Sequence, residues 1–125
     1  MSMINDYQKG WALRYLREAK EELIAAQKTP YIAPSLILEA AKKAKAAIYY
    51  SLGDPASIET IVRQSIHKKR LVEDPVLKIL VEIERTIREV KRTAESEREK
   101  ALKQVDDLVR TAKDIVELFT GEKTD

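Results

Sequence analysis

Between Pro75 and Gly121 the chain contains no glycine, proline or asparagine. Its apolar residues there include Leu80, Ile83, Ile87, Val90, Ala94, Ala101, Val105, Leu108, Ala112, Ile115 and Phe119. Steps of three and four place these on one stripe of an α-helix. One beat is missing, between Ala94 and Ala101, where Glu97 or Arg98 stands, and the phase on either side of the gap is the same. Asp74-Pro75 is a start signal, because the Asp oxygen can accept from free N–H groups and Pro fits the first helical position. Gly121 is a matching stop.

As one helix this stretch would be about 68 Å long. A compact chain of this length has a radius of gyration of only about 14 Å. A continuous helix over Pro75–Phe119 would therefore protrude, and its stripe would need another chain to cover it. That continuous helix is the favoured reading, since no residue near its middle suits a left-handed turn. The competing reading breaks the stretch at Thr93–Ser96. Ser96-Glu97-Arg98-Glu99 has the spacing of a capping box, and a hairpin there would hide both stripes inside one chain.

The rest of the chain is also helical in pattern. A first helix is expected from Asp6 to Lys28, after a loose end. It would bury Ala12, Leu16, Ala19, Leu23 and Ala26, widened by Trp11, Tyr15 and Ile24. Trp11 and Tyr15 read as packing residues, with a stacking platform for a nucleic-acid base as the sharper alternative. The prolines at 30 and 34 end that helix. Ser35 is the expected cap of a second helix over residues 36–52, which buries Ile37, Ala40, Ala41, Ala44, Ala47, Ile48 and Leu52. Its alanines allow close approach of a neighbour, and Lys42, Lys43 and Lys45 form a solvated edge. Gly53 closes it. Asp54-Pro55 starts a third helix, residues 56–71, burying Ile58, Ile61, Val62 and Ile66. The reading is an all-α antiparallel bundle of four or five helices, with a long C-terminal helix or helical hairpin, in a single domain.

Composition narrows the chemistry. The 125 residues include no cysteine and one histidine, which excludes disulfides, thiolate metal sites and histidine-rich zinc sites. No cofactor is expected. Twenty-three basic residues against twenty-one acidic ones give no strong pull toward nucleic acid. No apolar run reaches the length of a membrane span, and no leader pattern opens the chain, so a cytoplasmic protein is expected. Abundant Lys, Glu, Arg and Ile resemble proteins from hot environments. No P-loop, dinucleotide-binding or nucleophile-elbow pattern occurs. Adjacent carboxylates such as Glu21/Glu22 and Asp106/Asp107 do not face each other on a helix. Glu84/Arg88, Glu99/Lys103 and Asp106/Arg110 are expected surface pairs.

One constellation carries possible chemistry. In Arg63-Gln64-Ser65-Ile66-His67-Lys68-Lys69-Arg70 the single histidine follows an arginine by one helical turn. His67 could help a ribose 2′-hydroxyl attack its neighbouring phosphate while Arg63 stabilises the developing charge, with no metal. Lys68, Lys69 and Arg70 could hold phosphates. The structural alternative is a partly exposed histidine beside basic residues that complement the helix dipole.

Three patterns then line up in order. They are Trp11-x-x-x-Tyr15-Leu16-x-x-Ala19-x-x-x-Leu23, Ala40-Ala41-x-x-Ala44-x-Ala46-Ala47-x-x-x-x-Leu52, and the pair Arg63 and His67. Together they resemble the HEPN domains (higher eukaryotes and prokaryotes nucleotide-binding), in particular small archaeal members. The resemblance spans residues 7–70. It implies a helical bundle that dimerises. It also implies either a metal-independent ribonuclease or a non-catalytic partner of a nucleotidyltransferase. Active members separate the arginine and histidine by a longer spacer than Gln64-Ser65-Ile66, and Gln64 matches their usual polar residue only loosely. The combined expectation is a non-enzymatic, self-associating helical module. The alternatives are a ribonuclease using Arg63 and His67, and an RNA- or nucleotide-binding module using Lys68, Lys69 and Arg70.

Overall fold

The computed structural model describes residues 4–68 and 72–124. Its five helices are α1 (Asp6–Lys28), α2 (Ala33–Leu52), α3 (Pro55–His67), α4 (Pro75–Thr93) and α5 (Arg98–Thr120), with a 3-10 turn at Pro30–Ile32. No strand occurs among the described residues. The chain is an all-α helical bundle.

Local chemistry explains most boundaries. Asn5 caps α1 by accepting from the Gln8 N–H at 2.8 Å, and Gln8 returns the bond to the Asn5 N–H at 3.2 Å. This reciprocal box satisfies two donors that a helix start leaves free. Asp54 and Asp74 cap α3 and α4 by accepting from the Ser57 and Leu77 N–H groups, and each is followed by Pro. Gly53 closes α2 at φ 154° and Gly121 closes α5 at φ 77°, values a side chain disfavours. One expected boundary is wrong. Ser35 is not a cap, because α2 already begins at Ala33, with Pro34 in its first turn. Proline at that position lacks only an N–H that would be unpaired anyway. The final residues expected in the third helix, 69–71, lie outside the described residues.

The long C-terminal stretch is a hairpin, not one helix. α4 ends at Thr93, and α5 starts after Glu97. Glu97 carries no side-chain capping bond, so the Ser96 capping box is not what starts α5. Nor does the turn open on a left-handed residue: Ala94 stays right-handed, and Glu97 bends the chain at φ −132°, ψ 60°. Thr93 and Ala94 are buried, which anchors the reversal. Lys100 reaches back to Glu89 at 3.2 Å across it, and that hydrogen bond holds the Glu89 carboxyl below its ordinary range. The missing beat near Glu97 is the turn itself.

The hub is α2, which touches every other helix, and its contact with α1 is the most extensive in the bundle. Ala33, Ile37, Ala40, Ala41, Ala44, Ala47 and Ile48 are all fully buried. Small side chains let α1 and α5 approach closely, and the packing gains dispersion along the whole length. The stripe expected on α1 is its buried set, although Ile24 is half exposed. α5 covers α1, α2 and α4, so the C-terminal stripe is buried within its own chain at Leu80, Ile83, Val90, Val105, Leu108 and Ala112. On α3, Val62 is fully buried, whereas Ile61 faces solvent. The buried hydroxyls of Ser51, Thr93 and Thr120 each donate to the carbonyl four residues earlier, which leaves none of these donors unpaired.

Candidate functional site

Of the three lysines expected at a solvated edge of α2, Lys42 is exposed, whereas Lys43 and Lys45 are bound from several sides. Lys43 meets Glu18 at 2.9 Å and Glu22 at 2.5 Å, both on α1. Hydrogen bonds that the Lys43 ammonium donates to Glu22 and Glu18 hold it above its usual range. Lys45 meets Glu59 of α3 at 3.0 Å and Glu84 of α4 at 2.5 Å. The Tyr49 hydroxyl donates to the same Glu84 oxygen at 3.0 Å, and Lys45 lies 5.2 Å from the Tyr49 ring centre. Burial pulls Lys45 down, but Glu84 and Glu59 outweigh it and raise the group. Burial and the Glu84 charge push the Tyr49 phenol well above its ordinary value. This polar layer joins α2, α3 and α4. Because Glu84 is used here, the expected Glu84/Arg88 pair does not form; Asp106 and Arg110 do pair, at 3.1 Å.

Arg63 belongs to the outer edge of that layer. Its Nε donates to Glu59 at 3.0 Å, one turn earlier on α3, and its side chain is 77 % exposed. His67 is the last residue of α3 and is exposed. Lys68 caps the helix and is also exposed. Lys69 and Arg70 lie outside the described residues. The nearest cleft is lined by Ile61, Gln64, Ser65, Lys68 and the start of α4. Arg63 and His67 do not line it. The pair therefore sits on successive turns of an open surface, with the arginine engaged by a carboxylate.

Trp11 and Tyr15 join Tyr50 in a ring cluster. Trp11 and Tyr15 have centres 5.4 Å apart, and Tyr50 lies 6.2 Å from Trp11 and 5.7 Å from Tyr15. Tyr7 meets the Trp11 ring edge-on, and the Arg14 guanidinium sits 5.0 Å from its centre. The rings are engaged with one another, which is the packing role.

A larger concavity lies elsewhere, in the hairpin. A groove of about 730 Å³ runs between α4 and α5. Pro75, Ile79 and Ile83 form the apolar part of one wall, and Leu108 that of the other. Ile83 and Leu108 are buried at its base, while Ile79 is 44 % exposed. Outside the groove, Leu118 near the end of α5 is 77 % exposed. Lys78 and Glu82 line the α4 side, and Gln104, Asp107 and Thr111 the α5 side. The Gln104 side-chain oxygen is enclosed without a donor from the described protein.

The sequence reading did not single out this groove. Its signal was weak: Ile79 lies off the buried stripe of α4, but isolated exposed apolar residues are common. A second surface went unnoticed too. Arg85, Arg88, Lys91 and Arg92 crowd the outer face of α4 near its C-terminal end. Glu82 holds Arg85 at 2.6 Å.

Among the described residues no group of three or more His, Asp or Glu side chains is arranged to hold a metal ion, and no described helix is long and apolar enough to cross a membrane. No protein-family model, curated protein or solved structure matches the chain.

Proposed function

We propose that the chain is a non-enzymatic helical interaction module, of HEPN-like organisation, that binds through the groove between α4 and α5. The observation that carries this reading is the groove itself. It is apolar at its base, and it leaves Ile79 half exposed beside the buried stripe of α4. Contiguous apolar surface with a polar rim is the usual composition of a protein-binding site. The self-association expected from the C-terminal stripe loses its original basis, because the hairpin covers that stripe with the chain's own helices.

Two further readings have observations in their favour. Arg63 and His67 are both exposed on α3, so two copies could present them across a shared cleft as a metal-independent ribonuclease. The basic end of α4 would serve an RNA-binding role better than Lys68 alone. Purified protein incubated with a mixed RNA pool in EDTA separates catalysis from binding. The interaction module leaves the RNA intact. Cleavage that disappears in both Arg63→Ala and His67→Ala, with their helicity unchanged, would replace this reading with the ribonuclease.

A further inference from the structure

The polar groups around the groove are unevenly supplied with hydrogen. Asp107 on α5 is exposed and makes no ion pair among the described residues, although the adjacent Asp106 holds Arg110. Glu82 on α4 is also exposed, and it accepts from Arg85 through Oε1 alone. Thr111 donates its hydroxyl proton to the Asp107 carbonyl at 3.1 Å, so its oxygen can only accept from an occupant. Gln104 turns its amide N–H toward Glu89 and leaves its oxygen without a donor. Against these acceptors stand two donors, the Lys78 ammonium and the Thr86 hydroxyl. The two walls therefore carry two carboxylates for one ammonium, one carboxylate on either side of an apolar seam of Ile79, Ile83 and Leu108.

We infer that the occupant of the groove is a basic amphipathic helix of another protein, with its apolar face on Ile79, Ile83 and Leu108 and its Lys or Arg side chains on Glu82 and Asp107. This rests on the reading of the chain as an interaction module that binds through this groove. The α4 wall runs from Pro75 to Thr86, a length of about 17 Å or about three helical turns. A helix of that length presents apolar anchors at i, i+3 or i+4, and i+7, which is how a helix seats in an apolar groove. Because Glu82 and Asp107 stand on opposite walls, its cations lie on both flanks of the apolar face. An acidic helix would set carboxylates against Glu82 and Asp107 with only Lys78 to offset them, and a neutral one would desolvate both acids without supplying a charge. A second copy docked groove to groove meets the same imbalance, since it brings two acids and one lysine to two acids and one lysine.

Two synthetic helical peptides of about 14 residues test the occupant on the full chain. Both carry Leu at i, i+3 and i+7. One has Lys on its flanks and the other Glu, and binding is read by fluorescence anisotropy. The Lys-flanked peptide is expected to bind at least about tenfold more tightly than the Glu-flanked one, with the gap narrowing at high salt. Ile79→Ser should weaken its binding about tenfold with helicity unchanged, since Ile79 is already 44 % exposed. Asp107→Lys should abolish the preference between the peptides, because the groove then holds two lysines and one acid. Equal affinities, a preference for the Glu-flanked peptide, or a preference that survives Asp107→Lys overturns the inference and leaves the groove to a partner of other chemistry. Binding that Ile79→Ser does not weaken overturns it as well, by placing the peptide on another surface. A dimer of the unmodified chain that Ile79→Ser dissociates in sedimentation fills the groove with a second copy and has the same consequence. Binding of neither peptide at about 100 µM removes the groove reading along with the inference.

Discussion

α2 and α3 follow one another in the chain, yet they are held by different forces. α2 lies at the centre of the bundle, with seven Ala and Ile side chains fully enclosed by its neighbours. α3 leans on α2 and α4 alone, with Val62 as its buried anchor and the Lys45–Glu59–Glu84 layer beneath it. Close packing is insensitive to salt and acid, and its strength lies in shape. A partly exposed ionic layer responds to both, and each charge in it relies on the others to offset its desolvation. The bundle therefore has a rigid part, α1–α2–α5, and a part whose docking is set by solution conditions. The open groove sits on the hairpin that bridges the two.

The largest effect is expected in α2. Ile48→Ala removes a fully buried side chain from the hub and should cost about 2–5 kcal/mol of global stability, read from the denaturant midpoint. Ala44→Leu should cost about 1–3 kcal/mol from the opposite fault, overpacking. If either were well tolerated, α2 would not be the tight element of the pair.

A smaller and more local effect is expected from Lys45→Met. It leaves Glu59 and Glu84 facing one another without their shared cation, at a cost of about 1–3 kcal/mol. Hydrogen exchange should speed up in α3 and leave α1 unchanged. A uniform loss of protection across the bundle would erase the distinction drawn between the helices.

Acid should act on the same layer, more weakly. Burial would raise the Glu59 carboxyl, but Lys45 and Arg63 outweigh it and hold the group below its ordinary value. The unfolded chain therefore takes up that proton more readily than the folded one. The stabilisation is complete above the usual carboxylate range. It drains away as the pH falls from about 5 toward the lowered folded value. Glu18 is held down in the same sense, first by Arg14 and then by Lys43. α3 amides should lose protection over this range in the unmodified protein, and Glu59→Gln should flatten the dependence. An equal pH slope in Glu59→Gln would assign the acid sensitivity elsewhere.

The gaps in the sequence reading have physical causes that particular residues display. Lys43 and Lys45 look like exposed members of a basic run, but Lys43 lies three residues after Ala40, and Lys45 four after Ala41. Both positions are in phase with the buried stripe, a signal that was present and outweighed by their charge. The hairpin was legible only as an alternative, because the stripe keeps its phase across Glu97. Arg63 and His67 were placed correctly on one helix, yet neither Glu59 as the arginine's partner nor the open surface around the pair could be read from their spacing.

What the sequence determined by itself was local: helical periodicity, the Asp-Pro starts, the glycine stops and the apolar face of each helix. Those depend on residues within a turn or two of one another, so they are written into short stretches of chain. The tertiary structure decided where the long stretch reverses, which helix became the hub, which carboxylate each lysine meets and where a groove stays open. Each of these depends on side chains far apart in sequence competing for the same space, and on the free energy of the whole arrangement rather than of any one segment.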